Sequence, residues 1–410
     1  MKIIHVSDSY LPTIGGLERS IESISKVQVA EGHEVVVISS QHPDEPEEKI
    51  VDGIKVYRRQ MFIQKLNVME DPRRPFHPPM NDPMFVNHLT EIFLKEKPDI
   101  IHSHAWSTIS VINAAKKLGI PVISTAHDYG HICAVKQGTF KDGTVCSGPE
   151  LNKCIAHAKE HYGAVKGIPI ALGIKATNNK LKTIQWTAIS SSVADFGKDT
   201  SYHIPDMTVI PSYVPETVFN YSGASKPEFA PSGEYICFVG ALSPMKGLNI
   251  LLQAHSNLWN KGLKIPLLVI GVERPDTPDL SHEGITVAYS QPHDKVMASW
   301  KNAEIGVIPS VIPEAFGQVA VECLATGTPA IVASHGGLKD IVQEGIQGLQ
   351  VTPNNVDSLE KAIEKLWLDK ELRTKMGTNG VERAKLFTAR AVYPQVLKAY
   401  EDTIMKENKK

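Results

Sequence analysis

A chain of 410 residues is longer than one ordinary hydrophobic core supports and suits two domains of roughly 200 residues each. With 42% hydrophobic and 21% charged residues it is neither disordered nor fibrous. Its 43 Lys and Arg balance 45 Asp and Glu for a formal charge of -2, so no overall field gathers nucleic acid or coats an anionic membrane, and nucleic acid is not expected as a partner.

The opening MKIIHVSDSY meets histidine, serine and aspartate too early for the apolar core of a signal peptide and reads as a first buried strand. No run of about 18 apolar residues escapes a charge, which leaves no conventional membrane span. Cys133, Cys146, Cys154, Cys237 and Cys323 are an odd set in a large chain without a secretion signal, which points to a reducing compartment, the cytoplasm. After the first strand, LPTIGGLERS leads into a helix. Its paired Gly15 and Gly16 let backbone approach a phosphate or sugar and leave amides free at the helix start. The loop is neither G-x-G-x-x-G nor a phosphate loop, so nicotinamide and ATP readings lose ground.

The runs EVVVISS, IKVYRR, DIIHSH and PVISTAH follow, separated by helical stretches. Apolar through their length, they suit strands covered on both faces of a parallel sheet. Ligands of such sheets lie beyond the carboxyl ends of strands. There IHSHAW sets His104 and Trp106, and STAHDYGH sets His127 followed by Asp128. A histidine on a strand is more often a core group; its place beyond a strand end makes His127 the better functional candidate.

Cys133, Cys146, Cys154 and His157 share a loop-rich insertion and have the identities of a tetrahedral zinc set, but no close C-x-x-C pair; free or paired thiols are the alternative. From His161 to Ala194 there is no acidic residue among Lys166, Lys175, Lys180 and Lys182. Peripheral membrane contact is one reading, and a helical pair with a solvated basic face is the preferred one.

The Pro-, Gly- and Ser-bearing segment from Ser212 to Gly233 reads as a connection, after which YICFVG, LLVIGV, ITVAYS, IGVIPS and PAIVAS restart the alternation. From Phe387 to Glu407, Val392, Val396, Tyr400 and Ile404 form one helical stripe, followed by a solvated lysine tail. The expected division is residues 1–212 and 213–386, with 387–410 returning to the first domain. Two such domains facing one another would enclose a central cleft.

Two stretches of the second half carry chemistry. FVGALSPMKGL, from Phe238 to Leu248, runs from a strand into a turn bearing Lys246, a cation suited to charge that grows on a leaving phosphate. PSVIPEAFGQVAVECLATGTPAIVASHGGLKDIV, from Pro309 to Val342, places Glu314 on a loop and Glu322 eight positions later inside the next helix. Eight helical positions are a little over two turns, so the carboxylates can grip two parts of an elongated ligand. Phe316, Gly317 and Gln318 present unpaired amides at the helix start.

The second stretch closely resembles the donor-binding signature of family-4 glycosyltransferases, the glycosyl transferases group 1: Glu-Pro-Phe-Gly, a second Glu eight positions after the first, then Gly-x-Pro and Gly-Gly. The resemblance implies the α/β GT-B fold, two Rossmann-like doubly wound parallel-sheet domains facing a central cleft, with an amino-terminal acceptor domain and a carboxy-terminal nucleotide-sugar donor domain. It implies a retaining hexosyltransferase that draws on a nucleotide diphosphate sugar, uridine being the commonest base, and an unidentified acceptor. Carried over, Glu314 binds donor-sugar hydroxyls, the amides of Phe316, Gly317, Gln318 and Val319 hold sugar and phosphate, Glu322 takes the ribose, and Lys246 the diphosphate. The Gly15–Gly16 loop faces the donor from the other domain, His127 orients the sugar, and His104, Trp106 and His127 line the acceptor pocket.

Ala315 stands where proline is common. Ala241 stands where an arginine usually follows the glycine, so half of a cationic clamp is missing: another cation compensates, the phosphates are held differently, or the donor is bound weakly. With Glu314 on distal hydroxyls no carboxylate remains as nucleophile. The resemblance therefore implies front-side attack, proton transfer to the leaving phosphate, and no metal or other cofactor required for catalysis. The rival readings are a non-catalytic nucleotide-sugar binder, suggested by Ala241, and a nucleotide-sugar epimerase, which shares the architecture but not the long glutamate stretch.

Overall fold

The computed structural model describes residues 1–66, 71 and 73–409; the last lysine of the tail lies outside them. The chain forms two compact units. The first comprises Met1–Phe140, Cys146–Ser212 and Val392–Lys410, and the second Lys141–Val145 and Tyr213–Ala391. The chain thus returns to the first unit at Val392, within the helix Ala389–Glu407, rather than at Phe387.

In the first unit an eight-stranded sheet holds β1 (Lys2–Val6), β2 (Glu34–Ser40), β3 (Glu48–Val51), β4 (Ile54–Arg59), β5 (Ile100–His104), β6 (Val122–Ala126), β7 (Gln185–Ala188) and β8 (Thr208–Val209). Their order is β3-β4-β2-β1-β5-β6-β7-β8, parallel except for β3, which runs antiparallel to β4. Alternate residues of β2 show why the strands read as apolar throughout. Val36 and Ile38 pack with Phe85, Leu89 and Phe93, while Val35 and Val37 pack with Tyr10 and Ile21. The order reverses between β1 and β5, which makes their carboxyl ends a topological switch point.

The second unit holds a six-stranded parallel sheet of β9 (Ile236–Leu242), β10 (Leu267–Glu273), β11 (Ile285–Tyr289), β12 (Ile305–Ile308), β13 (Ala330–Ala333) and β14 (Gly348–Val351), in the order β11-β10-β9-β12-β13-β14. Ile236, Phe238, Leu267, Val269, Ile305, Val307 and Ile331 give one continuous core with Leu248, Leu251 and Leu258 of the helix after β9. Here the switch point lies between β9 and β12.

Four strands were not expected. β3 pairs with β4 through Asp52 and Gly53, whose φ values of 52° and 77° are those of a tight hairpin turn that favours this residue pair. β7 lies in the basic segment, which is not simply two helices. Its helix, Leu151–Leu181, breaks at Gly163 (φ 77°), and the chain then enters the sheet with Trp186, Thr187 and Ala188 buried. The helix turns Ile170, Ala171, Ile174 and Leu181 inward. Lys175 lies 4.7 Å over the Tyr202 ring and Lys182 donates to the Ser201 carbonyl, so part of the basic face is engaged by the protein itself. Among the described residues no helix is long and apolar enough to cross a membrane.

Candidate active site

The two loops that leave the switch point of the second sheet lie against each other. After β9 a short turn, Pro244–Lys246, ends at Gly247, which takes a left-handed conformation (φ 78°) and caps the helix Leu248–Asn260. The amide of Val311, beyond β12, donates to the Met245 carbonyl at 3.0 Å. A side chain on Gly247 would place its Cβ 2.0 Å from the Pro309 carbonyl oxygen, so only glycine lets the loops close. This contact brings Lys246 to Glu314: the ammonium donates to Oε1 at 2.6 Å, and the buried Ser310 hydroxyl donates to the same oxygen at 2.6 Å. The side chains remain 30% and 18% exposed, which leaves the pair reachable by a ligand.

Burial opposes a charge on Glu314, but the Lys246 ammonium, the Ser310 hydroxyl and the nearby His335 outweigh it and hold the carboxyl below its usual range. The group is therefore an acceptor-only carboxylate at neutral pH. The paired glycines of SHGG brace this loop from behind. A Cβ on Gly336 would meet the Glu314 backbone at 2.5 Å, one on Gly337 would meet Phe316 at 2.6 Å, and the Gly337 amide donates to the Glu314 carbonyl.

Phe316 is buried edge-on against Phe387, at 5.7 Å between centroids. Gly317 follows with φ 115° as the cap of helix Gln318–Ala325, and no side chain caps that end. The first-turn amides at Gln318 and Val319 have no partner within the helix and sit at its positive end. One turn on, Glu322 accepts from His293 Nε2 at 2.9 Å, and its side chain is 13% exposed. Ala241 is half-buried near the end of β9, in register with Val272 of β10, and supplies no charge.

In the first unit, Gly15 caps the helix Gly16–Ala30 in an extended conformation. The carboxylate of Glu18 stands at the Gly15 Cβ position, 2.5 Å from it, and is bonded by Ser9. These helix-start amides therefore already face an acid of their own helix.

His127 is half-buried beyond β6 and joins a chain of imidazoles. Its Nε2 lies 2.9 Å from His104 Nδ1, and His104 Nε2 lies 3.0 Å from His5 Nδ1. Burial pushes His5 down to about 4, His127 down to about 3, and His102 and His104 well below the ordinary histidine range, so all four rings are neutral. His5, His102 and His104 form the one group of three whose ligating atoms come within 4.8 Å of one another among the described residues. Each of their six ring nitrogens nevertheless has a hydrogen-bond partner, as expected of a hydrogen-bonded network rather than of metal ligands.

Two of the residues expected in the acceptor pocket are buried. His104 is 1% exposed with both nitrogens bonded to other histidines, so neither is left for a ligand. Trp106 is buried, donates its indole N–H to the Gly130 carbonyl at 2.7 Å, and has the Lys136 ammonium 4.0 Å over its ring. Cys133, Cys146, Cys154 and His157 line one small cavity, but the thiols are free and their ligating atoms do not share a common 4.8 Å reach. Burial raises Cys133 to about 11 and Cys154 above its ordinary value, which keeps both as neutral thiols.

Residues 224–383 match the model of the glycosyl transferases group 1, and residues 14–146 that of glycosyltransferase family 4. The chain belongs to the group 1 glycosyltransferases. A D-inositol 3-phosphate glycosyltransferase of Acidothermus cellulolyticus is 24% identical, over 98% of this chain and 90% of the relative. An uncharacterized glycosyltransferase of Methanocaldococcus jannaschii is 27% identical over 90% of both. Solved structures give the fold as GT-B. The sucrose-phosphate synthase of Thermosynechococcus elongatus matches with a TM-score of 0.69 at 19% identity, over 99% of this chain and 100% of that one. HepE of Anabaena, solved with UDP-glucose, matches at 0.63 and 15%, over 98% and 100%.

Several residues that touch the candidate site residues have weak or no local signals in the sequence. Ser310 and His335 lie inside the signature stretch beside its carboxylates, and SHGG is the local signal for the second. His293 had no local signal, since it reaches Glu322 from another helix. His5 and His102 were hidden in apolar runs; only strand register pairs them, His5 opposite His102.

Proposed function

We propose that this glycosyltransferase moves a sugar, with retention of anomeric configuration, from a nucleotide diphosphate sugar, UDP-linked by preference, to an acceptor hydroxyl. The observation that carries the reading is the Lys246–Glu314–Ser310 cluster beside the open start of helix Gln318–Ala325, all at the switch point of one parallel sheet. An ammonium and a row of uncapped amides suit a diphosphate whose charge grows as it leaves. An ionised, acceptor-only Glu314 suits sugar hydroxyls, and Glu322, held by His293, suits the two hydroxyls of a ribose. That HepE of Anabaena was solved with UDP-glucose supports the choice of donor class.

Lys246 and Ser310 both bond Oε1 of Glu314, which suits a binding group better than a nucleophile. The acceptor hydroxyl attacks from the face the diphosphate leaves, and its proton passes to the departing phosphate oxygen. The positive charge this step needs is supplied by Lys246 and the helix amides. Activity is accordingly expected to survive excess chelator, and complete loss restored by added metal would contradict the mechanism.

A thermal-shift series with UDP, GDP, ADP and TDP tests the donor site, because a ligand bound only by the native state raises the melting temperature. A selective shift with UDP is expected, and Glu322→Ala is expected to abolish it. No shift with any nucleotide would move the reading to a glycosyltransferase-like protein in which Ala241 has cost the donor site. Conversion of donor without acceptor would instead indicate an epimerase.

A further inference from the structure

We propose that Gln28 and Tyr400 are positioning residues that hold His127 in the tautomer protonated on Nε2, so that its Nδ1 offers a lone pair and accepts a hydrogen bond from a ligand hydroxyl. The ordering rests on the hydrogen-bond geometry with the Gln28 amide as it is oriented; the ligand-facing half rests on the function proposed above.

Every contact between two neutral imidazoles needs one N–H and one lone pair, so a proton fixed at one end of a chain of rings fixes all of them. The amide of Gln28 is such an end. Its Nε2 donates to the Tyr400 hydroxyl at 3.1 Å, which leaves Oε1, an acceptor only, facing His5 Nε2 at 2.8 Å. His5 must then carry its proton on Nε2 and accept at Nδ1. His104 must donate from Nε2 to that nitrogen at 3.0 Å and accept at its own Nδ1. His127 must donate from Nε2 at 2.9 Å. The proton order ends there, with His127 Nδ1 unprotonated.

The other branch agrees. The Tyr400 hydroxyl, having accepted from Gln28, donates to His102 Nδ1 at 2.8 Å. His102 therefore donates from Nε2 to Thr125 Oγ1 at 2.6 Å, and Thr125 donates to Thr187 at 2.7 Å. All four rings take the Nε2–H form, the commoner tautomer of neutral histidine. Turning the Gln28 amide over would reverse every bond and force all four into the rarer form. Burial of His5, His102 and His104 removes the alternative of an added proton on them, since a charged imidazole there would lack water.

The chemical consequence is selectivity at His127. A hydroxyl can donate to its Nδ1, whereas a group that only accepts, such as an ether or phosphate oxygen, finds no N–H there. Among the described residues that nitrogen takes no hydrogen-bond partner. The tyrosine that accepts from Gln28 comes from the helix Ala389–Glu407, whose buried stripe thereby has a role beyond packing.

The full chain labelled with ¹⁵N-histidine and read by long-range ¹H–¹⁵N correlation tests this without an activity assay, with the His127 signals identified by their loss in His127→Gln. The expected result is a protonated Nε2 and an unprotonated Nδ1 on His127. Gln28→Glu, which keeps the acceptor, should preserve that pattern. Gln28→Leu and Tyr400→Phe should yield a mixture of tautomers and raise the donor KM by roughly tenfold or less, the worth of one ordinary hydrogen bond. His127 protonated on Nδ1, or an unchanged single tautomer in Gln28→Leu, would overturn the ordering. Normal donor and acceptor KM in His127→Gln, with the wild-type tautomer as expected, would overturn the ligand-facing half alone.

Discussion

Replacing Lys246 with methionine is expected to lower the rate of sugar transfer by about 10²–10³-fold, the usual cost of removing one preorganised charge-stabilising donor. Two effects combine. On the proposed mechanism a departing diphosphate loses the ammonium of the Pro244–Lys246 turn, and Ala241 brings no second cation on β9 to share the load. Glu314 also loses the charge that keeps its carboxyl low, so sugar binding weakens along with leaving-group stabilisation.

The pH dependence separates these effects. Because the native pKa of Glu314 is depressed, its pairing stabilises the fold fully above the ordinary glutamate value of about 4.3, and that contribution is lost as pH falls through the lower native value. The melting temperature of Lys246→Met should therefore lie furthest below wild type near neutral pH and approach it in acid. A gap that stays constant from neutral to acid pH would show that the ion pair does not contribute to the fold. A rate within a few-fold of wild type would remove Lys246 from the chemistry.

Gly247→Ala is expected to do comparable damage by purely steric means. The added Cβ would be forced into a left-handed backbone at φ 78°, costing about 1–3 kcal/mol in strain, and would stand 2.0 Å from the Pro309 carbonyl. One of the two loops must then move, and with it the 2.6 Å contact between Lys246 and Glu314. Thermal melting should show a clear loss of stability, and nucleotide binding should weaken although no ligand-facing side chain has changed. Gly262 makes the control: it has a similar left-handed conformation (φ 93°) but nothing within 4 Å of its missing Cβ. Gly262→Ala should reproduce the strain and spare binding. Equal nucleotide affinities in the two variants would show that the contact between the loops does not build the site.

Chain-local patterns were enough to read the strands whose residues are apolar on both faces, such as Val35 to Ile38, because burial on two sides leaves an unbroken run. They were also enough for the signature stretch, with Glu314 and Phe316 on a loop, Gly317 as the cap and Glu322 in the helix that follows. The hairpin of β3 has a chain-local signal too, the Asp52–Gly53 turn.

What depended on contacts between distant segments was not legible. Glu322 meets His293, Lys246 meets Glu314 across 68 positions, and Gln28 meets Tyr400 across 372. His104 looked like a ligand contact because a strand end usually faces solvent, yet parallel register places His5 opposite His102, and their side chains enclose it. Composition and spacing record which residue types a segment holds and which face they share. Whether a histidine meets a sugar or another histidine depends on which strands become neighbours, and that is decided by the packing of the whole sheet.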